Sequence, residues 1–175
     1  MFANQLFMKH YLIFCITFYM SFAHAQNPYA VVIRQQATEL AEALPKGQYG
    51  KVPLYTHPKI VGLMGGADKM VARMKEQTTT MKQQGIRFIN ASIGQPGPLV
   101  TVGRELQCVV PQTVVLQMPQ QRIAQRSSLI AFSEDGGKRW VFIDTQPGME
   151  KVRLVLPTIS SKLVIPARQE PQVVK

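Results

Sequence analysis

Gly85-Ile86-Arg87-Phe88-Ile89-Asn90-Ala91-Ser92-Ile93 is where the chain changes character. Before it, apolar residues recur every three or four positions. From Ile86 onward they gather in runs rich in β-branched residues, separated by Gly and Pro. The first spacing is that of a helix face and the second that of strands. Helices first and strands after predicts an α+β fold, with the helices on one face of a meandering antiparallel sheet of about four strands.

On the helical side, Asn27-Pro28 opens the first helix, since Asn caps well and Pro suits a first turn. Ile33, Ala37, Leu40, Ala41 and Leu44 make its apolar face, and Pro45 and Gly47 end it. Pro53 and Pro58 divide the next stretch into two short helical pieces, with a break at Thr56-His57-Pro58. Gly65-Gly66 stops them. A longer helix is expected from about Ala67 to Gln84, closed by Gly85. Its inner stripe is Met70, Met74, Thr78 and Met81. No Cys or His accompanies the methionines, so the stripe reads as core filling rather than a metal site.

On the extended side, residues 86–93 predict a strand and Gly94-Gln95-Pro96-Gly97-Pro98 a turn or loop. Residues 99–110 and 113–118 read as one long strand interrupted at Pro111. Pro119-Gln120-Gln121 predicts a turn, residues 122–133 a strand, and residues 139–145 the last strand. Asp135-Gly136-Gly137-Lys138 joins those two as a hairpin. The tail from Gly148 predicts a short helix near residues 150–156, extended chain after Pro157 and fraying from residue 168. No internal repeat divides the chain. One α+β domain is therefore expected over residues 26–167, with a frayed tail at 168–175.

Residues 1–25 read as a signal peptide. Lys9 and His10 precede an apolar run from Tyr11 to Met20, and Ala23-His24-Ala25 supplies the small residues a signal peptidase inspects. The run of about ten residues is short of the roughly 20 that span a bilayer. Cys15 lies inside the run with Phe14 before it, which does not fit a lipoprotein site. The expectation is cleavage before Gln26, export to a periplasm or the cell exterior, and no stable membrane anchor.

Beyond residue 25 one cysteine remains, Cys108, so no internal disulfide forms. It sits in a valine-rich run and reads as a buried thiol. The formal net charge is +10 and the sequence pI about 9.9. The basic residues are scattered, and Lys138-Arg139 is their one adjacent pair. The charge reads as a solvated surface, and a nucleic-acid role is not expected. Binding to anionic envelope material through this charge is one further expectation, with affinity that falls as salt rises.

The order of helices and then long strands, together with Gly47-Gln48-Tyr49, Tyr55-Thr56-His57-Pro58-Lys59 and Leu63-Met64-Gly65-Gly66, resembles the nuclear transport factor 2-like family, and within it an exported group of uncharacterised relatives. The resemblance implies a strongly bent sheet with the helices in its concave face, a cone with an internal pocket, and a possible homodimer paired through the sheet. The family includes isomerases and cyclases as well as pockets without chemistry, so fold does not decide function. Separately, Ser133-Glu134-Asp135-Gly136-Gly137-Lys138-Arg139-Trp140 resembles the Asp-box hairpin of sialidases and other β-propellers. A propeller needs repeats of that motif, so a single copy implies a structural turn.

Catalytic signatures are absent. There is no H-E-x-x-H, P-loop, G-x-S-x-G or dinucleotide fingerprint, and the ten carboxylates are dispersed. Beyond residue 25, one histidine and one cysteine do not supply an ordinary zinc site, and neither a metal nor a cofactor is expected. The candidates that remain are His57 as a general base at the helix break, Tyr55 as a hydrogen-bond donor beside it, and Asp144 as an acid at the end of the last strand. The plainer reading makes His57 a helix cap and Asp144 a solvated strand end. The expectation is a non-catalytic exported module that binds a small apolar ligand in its pocket, or a protein partner through an open sheet face. The alternative is a small isomerase- or cyclase-type enzyme using His57.

Overall fold

A computed structural model of the chain describes residues 27–167 and 169–174. The signal peptide expected over residues 1–25 lies outside the described residues. The architecture is α+β, with N-terminal helices in the concave face of an antiparallel sheet curled into a half-barrel.

Helix α1 spans Ala30–Ala43. Asn27 prepares it without capping it directly: its Oδ1 accepts from the Tyr29 N–H, and its Nδ2 donates to the Gly97 carbonyl. A short 3-10 turn at Tyr49–Lys51 leads into α2, Val52–Tyr55, and then α3, Pro58–Leu63. The break between α2 and α3 falls at Thr56-His57, because the Pro58 ring pushes His57 out of helical conformation. Helix α4 spans Ala67–Gln83, and Gly85 follows it at φ +75°.

The strands are β1 (Arg87–Ile93), β2 (Val100–Val102), β3 (Glu105–Gln117), β4 (Arg122–Ser133), β5 (Val141–Asp144) and β6 (Gln172–Val174). Helix α5, Met149–Val155, lies between β5 and β6 in the chain. The six strands occupy four lanes. β1 pairs with residues 112–117 of β3, and β2 pairs with residues 105–107 of the same strand on the same side. β5 and β6 likewise share the far edge of β4.

This pairing corrects the reading of residues 99–118 as one strand. The chain runs on through Gly94–Pro98 in the direction of β1, held by Gly94 N–H to Pro111 O and Gly97 N–H to Val109 O. It reverses at Gly103-Arg104, where Gly103 has φ +60°. Pro111, expected to interrupt a strand, lies inside β3 opposite Ser128. Its carbonyl faces Gly94, so its missing N–H also faces the gap where β1 has ended and β2 has not begun. No ladder bond is lost there.

Both faces of the sheet are covered. Ile33 and Ala37 of α1 pack on the concave face against Cys108, Val110, Leu129, Ala131, Trp140 and Phe142. The opposite residues of β3–β5, among them Val109, Ile130, Phe132 and Ile143, pack under Val152, Leu156, Ile159 and Leu163. The outer face read as open for a partner thus carries α5 and the segment after it. Gln107, fully buried, pegs that segment: its Nε2 donates to Thr158 O and its Oε1 accepts from Ser160 N–H. The tail expected to fray instead contributes β6, which pairs Gln172–Val174 with Arg122–Ala124.

The Asp-box stretch forms the β4–β5 turn. Asp135 Oδ1 accepts from Ser133 Oγ, Lys138 N–H and Arg139 N–H, and these bonds hold its carboxyl below the usual range. Trp140 is fully buried and donates Nε1 to Gly137 O. Gly137 has φ +85°, and a Cβ there would overlap the Tyr29 ring.

Candidate functional site

The concave side holds a cavity of about 490 Å³ between the sheet and the helices. Helix α4 packs chiefly on the 3-10 turn, α2 and α3. Met70 is buried there with Ala43 and Val52. Met74 and Met81 are half-buried and line the cavity, so the stripe read as core filling is only partly that. Leu40 of α1 and Leu44 just after it supply another wall. Phe88, Ala91, Val114, Leu116, Leu129 and Phe142 form the floor. These strand residues share a face because side chains alternate along a strand, and the register shift between Phe88 and Asn90 brings Phe88 to the same face as Ala91.

One end of the cavity is polar. Gln112 donates Nε2 to Asp144 Oδ2 at 2.6 Å and to Ser127 Oγ at 2.9 Å. Asp144 Oδ1 accepts from the Gln146 N–H at 2.8 Å. Burial pushes the Asp144 carboxyl above its ordinary value, against the hydrogen bonds that lower it. Gln146 is exposed and lines both this cavity and a second one of about 330 Å³ on the outer side, next to Arg126 and Gln169. The polar end therefore lies towards solvent, and the methionines line the cavity away from it.

The three candidate residues are not brought together. Asp144 lines the interior cavity. Tyr55 packs against the concave core and donates its hydroxyl to Glu39 Oε2 at 2.5 Å, joining α2 to α1. That bond holds the phenol proton more tightly than usual, with burial adding to it. His57 lines a separate open cleft of about 760 Å³, with Leu54, Lys59, Glu134 and Arg139. Its ring meets Phe132 edge-on at 4.9 Å, and its Nδ1 accepts from Lys59 N–H as the cap of α3. Burial lowers its pKa. This geometry accounts for His57 as a structural cap.

Cys108 is fully buried in the concave core, and burial pushes its thiol up to about 12. It stays protonated and inert at neutral pH. Among the described residues, no three His, Cys, Asp or Glu side chains cluster to hold a metal ion, and no helix is long and apolar enough to cross a membrane.

Gln112, Ser127 and Gln146 escaped the sequence reading. Polar residues inside a strand are the available signal: Gln112 follows the Cys108-Val109-Val110-Pro111 run, and Ser127-Ser128 interrupts β4. Which of them face inward depends on the register of β3 and β4. The chain matches no protein-family model, no curated protein and no solved structure.

Proposed function

We propose that this chain is an exported binding module of the nuclear transport factor 2-like kind, which carries a small apolar ligand in its concave cavity. The cavity itself supports the reading. At about 490 Å³ it falls within the range of small-molecule sites, and its walls are mostly apolar, with Thr56, Gln112, Gln125, Ser127, Asp144 and Gln146 as the polar residues among them. Methionine walls adapt to ligand shape, because the unbranched thioether side chain rearranges at low cost. The curled sheet with helices in its concave face is what the cone-shaped family would require. The isomerase or cyclase alternative draws no support from the cavity, whose lining leaves out His57 and Tyr55.

The test is a titration of the protein, purified as a host exports it, with the apolar fluorophore N-phenyl-1-naphthylamine. One saturable site is expected. Ala91→Trp places a large ring in the cavity and should abolish that site while the circular dichroism spectrum is retained. Undiminished binding by a folded Ala91→Trp protein would move the ligand site elsewhere.

A further inference from the structure

Among the described residues, Asp144 is the one ionisable side chain lining the concave cavity. No described Lys, Arg or His lines it, although the chain carries a formal net charge of +10. The donors around the carboxylate, the Gln112 amide, the Ser127 hydroxyl and the backbone N–H groups of Thr145 and Gln146, are all neutral. A carboxylate withdrawn from water without a countercharge is costly, and a cation brought beside it relieves that cost. A carboxylate held by neutral donors suits an ammonium group. The remaining walls suit an apolar body.

We infer that the cavity selects apolar molecules bearing a protonated amine, with the ammonium on Asp144 and the apolar part among Met74, Met81 and Phe88. This rests on the ligand-binding reading of the same cavity. The raised pKa of Asp144 agrees with a site that lacks its cation when empty.

The test is competition against N-phenyl-1-naphthylamine by decylamine, decanol and decanoate, three probes of one chain length and different head charge. Decylamine is expected to compete about tenfold better than decanol or more, and decanoate worst, because a charge-assisted bond forms for the amine alone. In Asp144→Asn the ratio of decylamine to decanol competition should fall to about one, whatever the variant's absolute affinity for the fluorophore. Equal competition by decylamine and decanol in the wild type would overturn the amine selectivity and leave the cavity reading standing. An amine preference that survives in a folded Asp144→Asn protein would also overturn it. Failure of the fluorophore and all three probes to bind would overturn both. The wild-type ranking needs no variant, so it decides the matter even if Asp144→Asn folds poorly.

Discussion

Gln36 joins α1 to the β4–β5 turn with both ends of its amide. Its Oε1 accepts from Trp140 N–H at 2.8 Å, and its Nε2 donates to Lys138 O at 3.0 Å. Gln36→Leu removes both bonds and leaves the Trp140 N–H without its partner. It should lower stability by about 1–2 kcal/mol, read from the urea midpoint. His57 gives a pH-dependent counterpart. Its folded-state pKa lies below the ordinary 6.5, with burial the main cause, Glu134 opposing and Lys59 adding. The unfolded chain therefore takes up the proton first as pH falls. Stability from this residue is present above about 6.5 and is lost as pH drops towards the folded-state value. Protonating Nδ1 also ends its capping bond from Lys59 N–H. His57→Asn keeps a cap that does not titrate. The variant should flatten the fall in melting temperature between pH 7 and pH 5, and an unchanged slope would remove His57 as its source.

At the scale of the element, the segment over residues 148–166 holds to the outer sheet face by one apolar cluster and one buried amide. Gln107→Leu keeps the apolar volume but abandons Thr158 O and Ser160 N–H, which Gln107 now satisfies. It should cost about 2 kcal/mol and open the segment to limited proteolysis near Ser160-Ser161, while the β3–β4 core stays protected from amide exchange. The elements themselves were largely legible. The predicted strand over residues 122–133 coincides with β4, and the break at Thr56-His57 was marked by Pro58. Lane assignment was not. Gly94–Pro98 carries every local sign of a reversal, yet the chain passes through it extended. A weaker signal at Gly103-Arg104 makes the turn instead. Glycine and proline mark where the backbone departs from a ladder; the partner strand decides whether it turns back.

At the scale of the whole molecule, the two apolar clusters are rooted in the same strands. Cys108 and Val110 point to the helices, and Val109 points to the α5 side. Neither layer has a sheet of its own, so helices, sheet and outer segment should melt together. Trp140 is the single tryptophan and lies in the concave cluster. Its fluorescence should follow the same thermal transition as far-UV circular dichroism. Two separated transitions would divide the fold into independent units. The candidate site is half legible in the sequence: the methionine spacing marks an inner helix face but not the cavity it borders, and nothing near Asp144 in the chain points to its partners Gln112 and Ser127.

The sequence by itself determined that helices precede strands, the bounds of the strand over residues 122–133, the helix break at His57 and the turn around Asp135. Each of these depends on residues within a few positions of one another, where φ restriction, capping and side-chain periodicity act. Only the tertiary structure decided that β1 and β2 share a lane, that α5 covers the outer face, that His57 and Asp144 line different spaces, and that Met74 and Met81 border a cavity. Those outcomes come from pairing between residues far apart in the chain and from the volume left over when the helices settle on a curved sheet. Neither quantity is carried by any local stretch of residues.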